Sequence, residues 1–337
     1  MVHAAEQPAA PEPQERTHSC MCELYARATE RAALASARWL GRGDQESAEE
    51  AASSGMQGAL ESLPMSGRIV IGATEGSAVL AIGDEVGAGG DEVDLALDPL
   101  EGRGVVARGG SGAMAMIAVG DRGTLSTLPD MYMRQMAVGP VARGHIDILR
   151  PVSENVRAIA EAYGRTTSDV TAILLDRPRH HDLIEEIRSA GARIKLIQDG
   201  TVTASISTAI RGTNDHLAIG IGGTRQAVLT AAAMRCLGGE LQAQLWPTTR
   251  GEIEAATEQG IDDIDRVFSV DDLVPGEVIF CATGVSNGDL LRGVRYLADS
   301  ARSHSLVMCT RCNWVRFVDG IHFFARERRE DVRLLGY

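Results

Sequence analysis

The sequence predicts an α/β fold, and three observations predict it. From Val170 onward, short apolar runs alternate with amphipathic stretches: VTAILLD, HDLIEEIRSAG, ARIKLIQDG, TVTASISTAI, HLAIGIGG, TRQAVLTAAAMRCLGG. That alternation is the pattern of a parallel βα region. Near the amino end, two stretches with helical spacing of apolar residues stand in tandem. Between these regions, the apolar run Val93–Leu97 reads as a buried strand of a separate, earlier sheet.

Composition narrows the function classes. The chain has 337 residues, 44% of them hydrophobic, enough for a large core in one or two domains. A formal net charge of −13 argues against a nucleic-acid surface and against an anionic membrane. An anionic small substrate would need a local basic pocket. No apolar run reaches membrane-spanning length. The opening residues MVHAAEQPAAPEPQERTHS, rich in Pro, Ala and Glu, read as a disordered tail over residues 1–20 and not as a signal peptide. A cytoplasmic location is the default expectation. The remaining chain divides into residues 21–145, 146–327 and a charged tail, 328–337.

Taken in order, Leu24, Ala28, Ala32, Leu34, Ala35 and Trp39 line one face of a helix over Glu23–Trp39, stopped by Gly41-Arg42-Gly43. Asp44 to Glu49 open a second helix that runs past Gln57 to Leu60. RIVIG (68–72) is a strand. The run ending at Leu97 stops at Asp98-Pro99, and Gly102 relaxes the turn, so Asp98 and Glu101 project from a strand end. Two carboxylates so placed suit Mg²⁺ or Mn²⁺, which could polarise a phosphate and supply a hydroxide. D-P-x-E is short, however, and a solvated acidic turn satisfies it equally. Ala113–Val119 is a strand and Val152–Tyr163 a helix. Arg177, Arg179 and His180 fall at a strand's carboxyl end, where open α/β sheets place ligands. The amides of the Gly222-Gly223 turn at a helix start could receive a phosphate.

Six cysteines complete the inventory. C-x-C at Cys20/Cys22 and C-x-x-C at Cys309/Cys312 could together supply four thiolates for zinc. A zinc ribbon usually shows two C-x-x-C pairs, so the expectation is reduced surface thiols there and core roles for Cys236 and Cys281.

The succession DPLEG, GDRGTLSTLPDMYM, LLDRPRH, IQDG, GIGG, FCATGVSNGDLLRGVRYL and HSLVM resembles class II fructose-1,6-bisphosphatases, a bacterial family that includes dual fructose/sedoheptulose bisphosphatases. The resemblance spans about Glu23 to His322. It implies the layered αβαβα sandwich of the sugar-phosphatase superfamily, a phosphorylated-sugar substrate, Mg²⁺ or Mn²⁺, and a homo-oligomer. It implies metal ligation by Glu49, Asp98 and Glu101, and substrate contacts from Gly102, Tyr132, Arg177, Arg179, His180, Asp199, Gly200, Thr201, Gly223 and Gln226.

Several positions depart from the family pattern. Gln45 stands for a lysine, Glu49 for a metal-binding aspartate, Ala73 for a metal-binding glutamate, Arg103 for a catalytic threonine, Thr201 for an aspartate, and Gln226 for another metal-binding glutamate. One half of a two-metal site is therefore expected to be lost unless Glu75 replaces it, leaving one ion. Arg103, with Asp98 and Glu101, becomes a candidate catalytic group that holds a phosphate bidentately. The expected function is an enzyme binding a ketohexose 6-phosphate and acting at its C1/C2 end. The chemistry could be glycosyl transfer to a small acceptor in specialised metabolism, with phosphate or pyrophosphate leaving. A weakened bisphosphatase and a non-catalytic paralogue are the alternatives.

Overall fold

The structure, a computed structural model, describes residues 20–73 and 79–324. Glu75, most of the expected amino-terminal tail and the charged tail lie outside the described residues.

Two helices open the chain, α1 (Cys22–Ser36) and α2 (Gln45–Leu60). A single 3-10 turn, Ala37–Trp39, takes up the last residues expected of the first helix. Asp44 caps α2 by accepting the Ser47 N–H. Strands β1 (Met65–Ile71), β2 (Glu85–Val86) and β3 (Asp91–Glu101) follow, then a short helix α3 (Arg103–Arg108) and β4 (Met114–Asp121). The chain next enters a second sheet at β5 (Tyr132–Val138). After α4 (Val152–Ala162) come β6 (Thr171–Leu175), α5 (His181–Ser189), β7 (Arg193–Ile197), α6 (Thr201–Ala209), β8 (Leu217–Gly223) and α7 (Thr224–Leu237). Strand β9 (Glu240–Leu245), α8 (Arg250–Glu258), β10 (Val267–Ser269) and α9 (Val270–Leu273) complete that half. The chain then returns to the first sheet with β11 (Val278–Gly284), β12 (Arg295–Tyr296), β13 (Ser300–Cys309) and β14 (Trp314–Phe323).

The first sheet has the order β12-β13-β11-β4-β3-β1-β2, with β14 pairing β13. The second is β10-β9-β5-β8-β6-β7, parallel where β6 meets β7 and β8 and antiparallel around β5. The sheets do not follow a boundary at residue 145. Strand β5 sits inside the second sheet, and β11–β14 belong to the first.

Strand alternation shows the layering. In β4, Ala115, Ile117 and Val119 face α1 and α2, while Met114, Met116 and Ala118 face the opposite way. That second face packs on Val202 and Ile206 of α6 and on the alanine-rich α7, which also meets the second sheet through Met133 and Ala243. Beyond the second sheet, Met136 and Val138 pack under α4 and α5 with Val156, Ile159, Ile184 and Ile187. The order of layers is αβαβα, an α/β sandwich.

Strand β3 runs past its expected end. Its parallel pairing with β1 stops at Ala96, and its ladder with β4 is irregular between Asp98 and Glu101. Pro99 therefore falls where no ladder bond is required of it. No described helix is long and apolar enough to cross a membrane.

Candidate functional site

The site begins at the carboxyl end of β3. Asp98 Oδ1 accepts the Leu100 N–H at 3.2 Å, and Glu101 points under the start of α6. Helix α6 has Gly200 as its N-cap, at φ 101°, and so no capping side chain of its own. Glu101 supplies the cap from the other sheet. Its Oε1 accepts the Val202 N–H at 2.9 Å; its Oε2 accepts the Thr203 N–H at 3.2 Å and the Thr203 hydroxyl at 2.7 Å. Burial pushes Asp98 up to about 7, and the charges of Asp199 and Glu49 add to it; Leu100 N–H and Arg225 pull it back. Burial likewise pushes Glu101 up to about 8, with the charge of Asp98 adding and the Thr203 and Val202 bonds opposing.

Arg103 is paired within the protein. Its Nη1 donates to Glu49 Oε2 at 2.6 Å, so α3 and α2 are joined by an ion pair at the rim. Arg103 and Glu49 thus satisfy each other, and no anion shared with Asp98 and Glu101 is required to hold the guanidinium.

The expected metal set is likewise not assembled. Among the described residues, Glu49, Asp98 and Glu101 do not bring oxygens together as a ligand group; the group that converges is Cys20, Cys22, Cys309 and Cys312. Glu49 is held by Arg103, both Glu101 oxygens cap α6, and Ala73 and Gln226 bring no charge. In this arrangement the described residues do not turn several free carboxylate oxygens towards one point, as a hard divalent cation requires. Asp98 remains, with no ion pair among the described residues and a partly open face.

A cation that sequence reasoning passed over stands nearby. Arg225 Nη1 donates to the Gly72 carbonyl at 3.0 Å and Nη2 to Asp130 at 2.8 Å, at 18% side-chain exposure. Its guanidinium is among the charges acting on Asp98. The signal was present in Gly223-Thr224-Arg225-Gln226, where the family pattern has proline at the third place.

The distal half is partly as expected. Tyr132, at the start of β5, is exposed and pairs in register with Gly223. The Arg179 guanidinium lies 5.3 Å from the Tyr132 ring centroid and donates to the Ile221 carbonyl at 2.9 Å. Gln226 folds its side-chain amide over Gly223. Tyr132, Arg179, Gly223 and Gln226 therefore share one place at the ends of β5 and β8. Arg177 is tied to the carbonyls of Asp176 and Gln198 beside the carboxyl ends of β6 and β7. Asp199 accepts the Gly200 N–H and, with Gly200 and Thr201, forms the entry to α6 next to Glu101.

His180 is a correction. It is buried, its Nδ1 faces the Leu175 carbonyl at 2.9 Å, and its Nε2 accepts the Ile221 N–H at 2.9 Å. Both ring nitrogens serve the backbone of β6 and β8. Burial and the neighbouring Arg179 and Arg177 lower its pKa, which suits a neutral core histidine and not a phosphate ligand.

Comparison with known proteins places this geometry. The family model described as "Bacterial fructose-1,6-bisphosphatase, glpX-encoded" matches residues 19–322. A Microcystis aeruginosa protein is 40% identical over 90% of this chain and 96% of its own; a Synechococcus sp. protein (strain JA-3-3Ab) is 41% identical with the same coverage. A Synechocystis sp. protein is 40% identical over 87% of this chain and 93% of its own. All three are named D-fructose 1,6-bisphosphatase class 2/sedoheptulose 1,7-bisphosphatase. With residues 19–322 matched and the two-sheet sandwich in place, the chain belongs to the GlpX-type class II fructose-1,6-bisphosphatase family.

Proposed function

We propose that the protein is a phosphatase of ketose bisphosphates, taking fructose 1,6-bisphosphate or sedoheptulose 1,7-bisphosphate. Near-full-length similarity to relatives so named carries the reading. Arg179 over Tyr132, with Arg177 at the neighbouring strand ends, offers cationic groups to the distal phosphate inside an otherwise acidic chain. Asp98 is the carboxylate at the end of β3 that keeps a partly open face. With its pKa pushed up to about 7, its carboxyl can take or give a proton near neutral pH. Glu101 acts as a positioning residue: it fixes α6, and through it Asp199, Gly200 and Thr201, against the end of β3. No step is routed through a metal ion; Asp98, with the Asp199 and Glu49 carboxylates whose charges act on it, would hold one, and the ion would polarise the phosphate.

The glycosyl-transfer reading depended on an Arg103 free to hold a phosphate or pyrophosphate. With Arg103 paired to Glu49, and with relatives named as phosphatases, hydrolysis is the better supported chemistry.

A second reading, sugar-phosphate binding without turnover, is favoured by one observation: the carboxylate expected to ligate from α2 is neutralised by Arg103. Phosphate release from both bisphosphates, alongside calorimetric titration with fructose 6-phosphate, separates the two. Release that disappears in Asp98→Asn while fructose 6-phosphate still binds is the expected result. Binding with no release from either substrate would establish the second reading, and the absence of both would overturn each.

A further inference from the structure

Four of the six cysteines meet at one place, although they come from opposite ends of the chain. Cys20 precedes α1 and Cys22 is its first residue; Cys309 ends β13 and Cys312 lies in the turn to β14. The Cys20 and Cys309 sulfurs are 3.6 Å apart and those of Cys22 and Cys312 are 3.9 Å apart. All four lie within 4.8 Å of one another. For an ion held tetrahedrally by sulfur at about 2.3 Å, the edge of the tetrahedron is about 3.8 Å. The two closest pairs thus bracket the required edge, and the gathering is too tight for a multi-iron cluster, whose thiolates must stand apart around a core of several atoms.

The surroundings are those of a thiolate cage. Cys22 and Cys309 are each 2% exposed, while Cys20 and Cys312 keep an open side through which an ion could enter. The Cys312 N–H points at Cys309 Sγ at 3.4 Å, a backbone donor that stabilises a thiolate. Arg311, between the two loop cysteines and paired with Asp121, puts positive charge beside them. All six cysteines are free thiols, and the four sulfurs stand far outside bonding distance for a disulfide. Soft sulfur donors in a tetrahedron select zinc over hard cations.

We propose that Cys20, Cys22, Cys309 and Cys312 form a tetrathiolate zinc site that fastens the start of α1 to the β13–β14 turn. The site is structural: four protein ligands close the coordination sphere and leave no position for substrate. Binding converts four thiols to thiolates, and the displaced protons pass to solvent. Helix α1 has no side chain capping its N-terminus, and the cage would fasten that end to the β13–β14 turn alongside the Glu23–Arg316 ion pair. The sequence offered these four thiolates but pointed to reduced surface thiols instead, because one of the two pairs is C-x-C and Cys20 and Cys309 are 289 residues apart.

The test uses the full chain expressed with zinc present and purified without chelator. Metal analysis should find about one zinc ion per chain. Cys309→Ser/Cys312→Ser should lose it, and Asp98→Asn should keep it, which separates the cage from the carboxylate cleft. In case the double variant fails to fold, the reduced wild-type chain, stripped of metal, is titrated with Co²⁺. A thiolate-to-cobalt charge-transfer absorption that saturates at one equivalent and is abolished by Zn²⁺ is expected. Absence of both zinc and this absorption would overturn the proposal. So would zinc retained by the double variant, zinc lost in Asp98→Asn, or an unreduced mass showing disulfides among these four cysteines.

Discussion

The paired carboxyls at the end of β3 give the chain a measurable dependence of stability on pH. Asp98 and Glu101 have ordinary values of 3.8 and 4.5 and are pushed up to about 7 and about 8 in the folded protein. Between those limits the folded state holds protons that the unfolded state has released. Folding stability is therefore fully present below about pH 4 for this pair, and it is lost as pH rises towards 8. Each carboxyl, taken alone, would represent about 4–5 kcal/mol over that window, at about 1.4 kcal/mol per pH unit. Part of the Glu101 displacement is the charge of Asp98, so the two contributions do not simply add, and Asp98 keeps an open face. We expect about 2–4 kcal/mol for the pair.

The perturbation is Glu101→Gln. The amide still offers an oxygen to the α6 amides but removes the Glu101 titration. Urea unfolding from about pH 5 to pH 8.5, in buffer without Mg²⁺ or Mn²⁺, compares the variant with wild type. Taking the difference cancels contributions of opposite sign from His180, His216, His304 and His322, all lowered by burial. Wild type should lose stability relative to the variant as pH rises. Parallel profiles would refute the reasoning. A slope that Mg²⁺ flattens would show that a cation does reach these carboxylates.

Other expectations concern single side chains. His180→Ala should destabilise the protein by about 2–4 kcal/mol in urea, because it strands the Leu175 carbonyl and the Ile221 N–H in the core. Arg179→Ala should weaken fructose 6-phosphate binding about tenfold by calorimetry, with little change in the unfolding midpoint. Arg103→Thr should change stability by less than about 1 kcal/mol, since its pair with Glu49 is solvent-screened at 57% and 32% side-chain exposure. The same variant should leave fructose 6-phosphate affinity unchanged; a tenfold loss would return Arg103 to the substrate.

Much of the architecture was legible because alternation leaves a residue-level trace. The apolar faces of β4 and β6 and the helical spacing in α4 and α5 can be read without coordinates. The end of β3 could not. Pro99 is an ordinary stop signal, and only the irregular ladder with β4 makes it tolerable. Among the candidate site residues, Tyr132 was named on its family resemblance, and Arg179 because it lies beside a punctuated strand end. His180 was misassigned for the same reason, since a histidine at a strand end looks alike whether it faces a ligand or two backbone groups. Arg103 and Glu49, 54 positions apart, form a contact that no local pattern announces.

The return of the chain to its first sheet bears on how the protein is made. Strand β11 lies between β4 and β13, in the interior of that sheet, yet it is synthesised after the whole second sheet. Until residues 278–284 leave the ribosome, β4 has an unpaired edge along Met114–Gly120. The amino-terminal half cannot finish folding first. It must wait, with apolar residues such as Met116 and Ile117 open on that edge, for a partner more than 150 positions downstream. A nascent chain released early would offer a sticky β edge to its neighbours, so slow, late-closing assembly and a demand for chaperone protection are built into the strand order.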